Sequence, residues 1–236
     1  MSDLATRAPA SVSGRSPTAV HRPESLEALA ALVRSRDGGT LLPVGGGTRL
    51  ELGNAPTRPF ALVELSAAVR GEILHEAPDL TVVVPATATI AEVNRVLAAE
   101  DQWLPLDPPH PELATIGGVL AVGAGGPLRS RHGLPRDLVL GMSVLRADGE
   151  LVKAGGRVVK NVTGYDLMRL WCGSLGTLGI ITEVALRVLP MQSTVDLEVS
   201  FVQLDRALAL AERLYRGDLR AHVLSLSRID GEWRMF

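Results

Sequence analysis

The sequence predicts an α+β fold, in which helices and strands follow one another without the regular alternation of a doubly wound parallel sheet. Helical and strand periodicities succeed each other irregularly along the 236 residues. Glycine-rich stretches at 43–50, 115–126 and 173–182 interrupt these elements. Hydrophobic residues make up 46% of the chain, which is enough to bury one large core or two small ones.

Local signals in the first hundred residues predict helices and strands at defined places. Ser25 precedes LEALAALVRSR, whose apolar residues recur at helical spacing, so Ser25 is the expected N-cap. Thr89 and Glu92 form a capping box that opens the helix IAEVNRVLAAE. Strands are predicted at 40–44, 61–65, 72–76 and 80–85.

The middle of the chain begins with LPLDPPHPELA, whose prolines predict an irregular loop. Asp148-Gly149 lies between two apolar runs and predicts a hairpin turn. Thr163 and Asp166 resemble a second capping box. The predicted elements here are hairpin strands at 138–146 and 150–153, a helix ending at Trp171, and a strand at 180–188.

We expect three regions: a disordered lead-in at 1–19, a main domain at 20–190 and a partial domain at 191–236. The lead-in is rich in Ala, Ser, Pro and Arg and lacks the hydrophobic stretch of a secretory signal. In the last region, strands at 194–201 and 222–229 flank the helix RALALAERLYR, which Asp205 is expected to cap. This pattern predicts a βαβ fragment.

Charge and composition exclude several classes of function. The net charge of −2 gives no basic excess for nucleic acid or an anionic membrane surface. No segment is apolar for long enough to cross a bilayer. Cys172 is the single cysteine, so no internal disulfide is possible, and its apolar surroundings favour a structural thiol. The five histidines are scattered without the spacing of a metal site.

The stretch Gly45-Gly46-Gly47-Thr48 is a candidate anion site, because a strand that ends in glycines can turn several backbone N–H groups toward one point. Thr48 adds a hydroxyl. The alternative is an ordinary turn at the end of a strand. The stretch is neither a Walker loop nor a Rossmann fingerprint, because neither consensus is complete.

The other two glycine-rich stretches permit the same two interpretations. Small residues from Thr115 to Gly126 suit a backbone that packs against a ligand, or a tightly packed buried turn. Arg129 follows and can reach a phosphate, or lie in a solvated loop. The backbone of Gly179–Ile181 can lie beside a heterocycle, or form a tight helix-to-strand turn.

Taken together, PVGGGT, ATIGGVLAVGAGGPLRSRHGLPRDLVLG and KNVTGYD resemble the PCMH-type FAD-binding domain of the vanillyl-alcohol oxidase / p-cresol methylhydroxylase superfamily, over about 20–190. Within it, the chain most resembles the FAD-binding subunits of the glycolate-oxidase type. The resemblance implies FAD between two α+β subdomains, followed by a truncated βαβ cap. It also implies companion flavoprotein and iron–sulfur subunits, and a small 2-hydroxyacid substrate.

The resemblance assigns roles to individual residues. Pro43, Gly45, Gly46, Gly47 and Thr48 would form the pyrophosphate loop; Thr115, Gly117, Gly118, Ala121 and Gly123 would line FAD, with Arg129 reaching it; Gly179, Ile180 and Ile181 would lie near the flavin ring; and Pro85 would lie on the adenosine side. Thr48 stands where covalently flavinylated members carry histidine, so FAD is expected to be non-covalent. Gly123 stands where many members have Asn.

Three functions follow as hypotheses. The first is an FAD-binding oxidoreductase subunit that accepts or relays electrons from a 2-hydroxy acid such as glycolate, with no catalytic base identified, because the histidine-rich cap motif is missing. The second is a non-catalytic interaction subunit of the same complex, which an exposed apolar edge at 195–202 would favour. The third is an unrelated phosphate-binding domain. A cytoplasmic location, peripheral to the inner membrane through partner subunits, is expected.

Overall fold

The structure is a computed structural model that describes residues 9–35, 39–156, 166–217 and 221–236. Its strands are β1 (Ala19–His21), β2 (Thr40–Val44), β3 (Phe60–Glu64), β4 (Leu74–Glu76), β5 (Thr81–Pro85), β6 (Gln102–Trp103), β7 (Val139–Leu145), β8 (Leu151–Gly155), β9 (Ile180–Arg187), β10 (Leu189–Pro190), β11 (Val199–Phe201), β12 (Leu226–Ile229) and β13 (Glu232–Met235). The helices are α1 (Leu26–Arg34), α2 (Ile90–Leu97), α3 (Ile116–Val122), α4 (Arg129–His132), α5 (Met168–Trp171) and α6 (Leu204–Arg216).

The first sheet is parallel and has the strand order β1-β3-β2. All five residues of β3 are buried, because this strand lies in the middle of the sheet. Helix α1 begins where predicted, since the Ser25 hydroxyl accepts a hydrogen bond from the backbone N–H of Ala28 at 3.2 Å. It buries Leu29, Ala30 and Val33. The predicted strand that leads into the first glycine stretch is confirmed as β2.

The second sheet is antiparallel and has the order β4-β5-β9-β7-β8, with β9 in its centre. Helices α2 and α3 contribute to the main hydrophobic core, which includes Ile90, Val93 and Leu120. The predicted capping box at the start of α2 is confirmed, because Thr89 and Glu92 exchange backbone and side-chain hydrogen bonds of 2.9 and 3.1 Å. The hairpin of β7 and β8 is confirmed as well.

The C-terminal sheet is antiparallel and has the order β11-β13-β12. The predicted strand, helix and strand are present, and β13 inserts between the two predicted strands. The prediction that Asp205 caps α6 is wrong. Helix α6 begins at Leu204, so the carboxylate of Asp205 lies inside the first turn, and the N-cap position is Gln203, which makes no side-chain cap hydrogen bond.

The prediction of a disordered lead-in at 1–19 is wrong for the part from residue 12 onward, while residues 1–8 lie outside the described residues. Val12 is 2% exposed and packs in a small core with Val44, Phe60 and Leu62. Its backbone exchanges two hydrogen bonds with Arg15. A single valine therefore anchors a polar segment whose average composition is typical of disorder.

The second glycine-rich stretch is helical rather than a turn. Helix α3 covers Ile116–Val122, and the Thr115 hydroxyl caps it by accepting a hydrogen bond from the N–H of Gly118. Adjacent glycines disfavour helix, which is why local propensity did not predict it. The predicted capping box at Thr163 lies outside the described residues; the described helix there is α5. No helix of the described part is long and apolar enough to cross a membrane.

Candidate functional site

A cleft with a volume of about 520 Å³ lies where the three glycine-rich stretches meet. Its size falls in the range of small-molecule and cofactor sites. Most of the predicted site residues line it, namely Pro43, Gly45, Gly46, Gly47, Thr48, Thr115, Gly117, Gly118, Ala121, Gly179, Ile180 and Ile181. The fold therefore brings together segments that lie far apart in the sequence.

The loop after β2 is built by close approach of two backbones. A Cβ atom on Gly46 would lie 1.6 Å from the carbonyl oxygen of Leu113, and one on Gly45 would lie 2.5 Å from the hydroxyl of Thr115. Gly47 has a φ of +68°, a left-handed conformation that favours glycine. These glycines are therefore required to fit the loop after β2 against the segment that precedes α3.

The same loop presents donors to the cleft. Within the described part of the chain, no group accepts a hydrogen bond from the backbone N–H of Gly46, Gly47 or Thr48. All three residues line the cleft. Successive N–H groups around a left-handed glycine form a concave anion-binding arrangement. The loop is thus suited to bind an anion through its backbone.

The start of α3 is different, because its first amides already have partners. The N–H groups of Ile116 and Gly117 donate to the carbonyl oxygens of Ala88 and Ala86 at 2.9 and 2.7 Å. The N–H of Gly118 donates to Thr115. The small residues of α3 therefore shape the wall of the cleft but offer no free amide to a phosphate. The Thr115 hydroxyl, which accepts this bond, can still donate its own proton.

The third stretch closes the cleft from the side of β9. The N–H of Leu175 donates to the carbonyl oxygen of Ala121 at 2.8 Å, which fastens this turn to α3. A Cβ on Gly179 would lie 2.6 Å from a methyl carbon of Val144, so glycine lets the turn approach β7. From the opposite side, Gly53 approaches the Leu175 side chain. The turn and the loop at 45–54 thus face each other across the cleft.

Three of the predicted site residues do not line the cleft. Pro85 ends β5 opposite Glu183. Gly123 ends α3 in a left-handed conformation, and a Cβ there would lie 2.8 Å from the Cα of Gly173, so its role is packing. Arg129 opens α4 and is exposed. Neighbours of Pro85 and Gly123, namely Ala86, Val122 and Ala124, line the cleft, whereas no residue of the described helix α4 does.

The structure also adds residues that the sequence did not indicate. Ala86 and Thr87 line the cleft directly after β5. The one sequence signal that could have pointed to them is that they follow the end of the strand predicted at 80–85. Arg49 follows Thr48 and lines the cleft as well. Among the described lining residues Arg49 is the one charged side chain, and the remainder of the wall is largely apolar. A ligand with an anionic centre and a large apolar ring system fits this lining.

Titratable groups outside the cleft have other roles. Burial raises the pKa of the Cys172 thiol to about 11, which keeps it protonated and unreactive at neutral pH. His132 and His222 were expected to be unrelated, but their rings approach each other with a nitrogen–nitrogen distance of 3.4 Å, beside Trp103. Desolvation, and then the positive charge of the neighbouring His222, lower the pKa of His132.

The profile of the FAD-binding domain family matches residues 17–155. Because this match covers more than half of the chain, the protein belongs to that family of FAD-binding domains, and FAD is its cofactor. The predicted PCMH-type fold is confirmed. The unpartnered amides of the loop at 46–48, the Arg49 cation and the apolar wall all fit FAD.

The names of the curated relatives describe enzymes, or subunits of enzymes, whose substrates are 2-hydroxyacids. The glycolate oxidase subunit GlcE of Escherichia coli is 40% identical over 122 residues, which are 51% of this chain and 35% of that protein. The glycolate oxidase subunit GlcD of Bacillus subtilis is 34% identical over 154 residues, 65% of this chain and 33% of that protein. The D-lactate dehydrogenase of Archaeoglobus fulgidus is 33% identical over 195 residues, 80% of this chain and 43% of that protein.

The chain thus spans less than half the length of these relatives. Among solved structures, alkyldihydroxyacetonephosphate synthase superposes with a TM-score of 0.71 at 20% sequence identity, and the match covers 87% of this chain and 38% of the other. At that identity the likeness shows a shared fold.

Proposed function

We propose that the chain is the FAD-binding part of a glycolate-oxidase-type oxidoreductase, in which flavin accepts or relays electrons from a small 2-hydroxy acid such as glycolate. One observation carries the proposal: the three glycine-rich stretches converge on one cleft, with unpartnered amides at 46–48 at one side and an apolar wall at the other. Similarity to glycolate oxidase subunits and D-lactate dehydrogenases supports the substrate class.

The FAD is proposed to be non-covalent. The described residues that line the cleft include no histidine, cysteine or tyrosine side chain, and these side chains are the nucleophiles that could attach to the flavin. Thr48 occupies the place at which the resemblance would put a linking histidine. Its hydroxyl is suited to a hydrogen bond instead.

The residues of this chain bind and orient the cofactor. The loop at 45–48 would hold the pyrophosphate, Thr115 would donate a hydrogen bond, and Ile180–Ile181 would support the ring system. When bound, FAD supplies the capacity to accept a hydride or electrons. The described lining residues include no Asp, Glu, His or Lys that could take the hydroxyl proton of a substrate. We therefore place the proton acceptor outside this set, either elsewhere in the protein or on a partner.

A second candidate function is that of an interaction subunit without its own substrate turnover. It is favoured by the apolar residues Val195, Leu197 and Val202, whose exposed fractions are 81%, 69% and 87%. Exposed apolar side chains beside an edge strand suit contact with another protein. In both cases the proposed partners are a companion flavoprotein and an iron–sulfur subunit, in the cytoplasm or peripheral to the inner membrane.

Anaerobic reduction of the flavin distinguishes the two functions. The purified FAD-loaded protein is mixed with glycolate or D-lactate, and the absorbance of the oxidised flavin near 450 nm is followed, alone and with the co-expressed partner subunits. Bleaching in either setting supports the oxidoreductase. Bound FAD that no 2-hydroxy acid reduces, even in the complex, would reject it and leave the interaction subunit.

A further inference from the structure

We propose that Arg49 is a cofactor-positioning residue, whose guanidinium neutralises part of the charge of the FAD pyrophosphate. The inference rests on the proposed FAD cleft and concerns a residue to which neither the fold resemblance nor the sequence motifs assign a role. Three observations support it: the position of Arg49, the absence of other partners for its side chain, and the charge balance of the cleft.

Arg49 lies next to the unpartnered amides of the glycine loop. It follows Thr48 directly, is exposed at the side of the cleft, and its own carbonyl oxygen accepts a hydrogen bond from Leu52 at 3.2 Å. This bond holds the backbone of 49–52 in a turn, so the side chain begins from a fixed point beside the donors of 46–48. An anion bound by those amides would therefore lie within reach of the guanidinium.

The guanidinium of Arg49 makes no hydrogen bond or ion pair with another described residue. The nearest acid in the sequence, Glu51, is already engaged, because its carboxylate accepts the backbone N–H of Ser13 at 3.0 and 3.2 Å. By contrast, Arg22 forms an ion pair with the buried Glu64 at 2.8 Å. An arginine without a protein partner at an anion-binding loop is available for a phosphate.

The charge balance points the same way. No acidic side chain lines the cleft among the described residues, and Arg49 is the one cation there. A pyrophosphate diester carries two negative charges, and backbone amides contribute only partial positive charges. The full positive charge of Arg49 would offset one of the two negative charges of the pyrophosphate. The cleft would therefore bind ligands that carry a pyrophosphate more tightly than flavins without one.

The test compares three ligands and three variants by fluorescence titration of the FAD-free protein. FAD carries flavin and pyrophosphate, ADP carries pyrophosphate without flavin, and riboflavin carries flavin without phosphate. The Arg49→Gln variant should weaken FAD and ADP binding by about tenfold at low salt and leave riboflavin binding unchanged. Arg49→Lys should restore part of the loss, because it keeps the charge but not the fork geometry. Added NaCl should reduce the difference in FAD affinity between the wild type and Arg49→Gln, because salt screens the charge of the guanidinium.

Arg95→Gln is the matched control, because Arg95 is exposed on α2, does not line the cleft and undergoes the same charge change. The inference is overturned if Arg49→Gln binds FAD as tightly as Arg95→Gln does. It is also overturned if the substitution weakens riboflavin affinity by the same factor as FAD affinity. A wild-type protein that binds no FAD would instead reject the proposed function itself. Thermal unfolding of each variant confirms that an exposed substitution has left the fold intact.

Discussion

The close approach of the glycine loop to the segment before α3 gives a prediction with a defined magnitude. In Gly46→Ala, the added Cβ would lie 1.6 Å from the carbonyl oxygen and 2.7 Å from the carbonyl carbon of Leu113. Both are backbone atoms, so no side chain can rotate away. The two segments would have to separate by roughly 2 Å to reach ordinary van der Waals contact. We expect a loss of about 3 kcal/mol in the free energy of unfolding.

Two further glycines complete the series. In Gly45→Ala the new atom would lie 2.5 Å from the Thr115 hydroxyl, a side chain that can shift at the expense of the α3 cap, so we expect a loss of about 1–2 kcal/mol. In Gly71→Ala the nearest atom is a Pro85 carbon at 3.8 Å, so this control should be unchanged or up to about 1 kcal/mol more stable.

The assay is urea unfolding of the three variants, together with titration of each with FAD. The expected order of stability is Gly71→Ala, then Gly45→Ala, then Gly46→Ala. FAD affinity should fall at least about tenfold in Gly46→Ala, because separation of the two segments misplaces the amides of the loop. If Gly46→Ala were as stable as Gly71→Ala and bound FAD equally well, the described packing of this loop would be wrong.

Three other predictions concern individual side chains. Thr115→Val removes the α3 cap and should lower the free energy of unfolding by about 1 kcal/mol, whereas Thr115→Ser should not; urea unfolding measures both, and equal losses would contradict the capping role. The pKa of His132 is lowered in the folded protein, so the unfolded chain binds more protons at this residue. The contribution of neutral His132 to stability is therefore complete above the pKa of the unfolded chain. It is lost as the pH falls from that pKa through the lower pKa of the folded protein. Thermal unfolding between about pH 5 and pH 8 should show a weaker pH dependence in His132→Gln, and an unchanged dependence would show that folding does not lower the pKa of His132. Because the pKa of the partly buried Cys172 is raised to about 11, iodoacetamide at neutral pH should label the thiol much more slowly in the folded than in the denatured protein, and equal labelling rates would show that folding does not raise this pKa.

Local signals predicted much of the fold. The N-cap at Ser25 and the capping box at Thr89 depend on neighbouring residues, which is why the sequence was sufficient to place the starts of α1 and α2. Asp205 shows the limit of the same reasoning. Helix α6 begins at Leu204, one residue before Asp205, with Gln203 at the N-cap position, so a good capping residue did not fix where this helix begins.

Long-range contacts could not be predicted in this way. Val12 lies in a polar segment and is buried because it packs against apolar residues of the first sheet. His132 and His222 meet through a fold that no local pattern encodes. For the site, motif resemblance identified the three glycine-rich stretches that form the cleft, but which residues line it depends on tertiary packing that no local pattern encodes. Pro85, Gly123 and Arg129 do not line the cleft, whereas Arg49, which the sequence did not indicate, does.

The central claim is that the converging glycine stretches form an FAD site, and its most direct test is the flavin content of the purified protein. The absorption spectrum is recorded before and after acid precipitation, and the ratio of flavin to polypeptide is determined. The account predicts one FAD per chain, released into the supernatant. A colourless protein that also fails to take up added FAD would contradict it, and flavin that stays with the precipitate would contradict non-covalent binding.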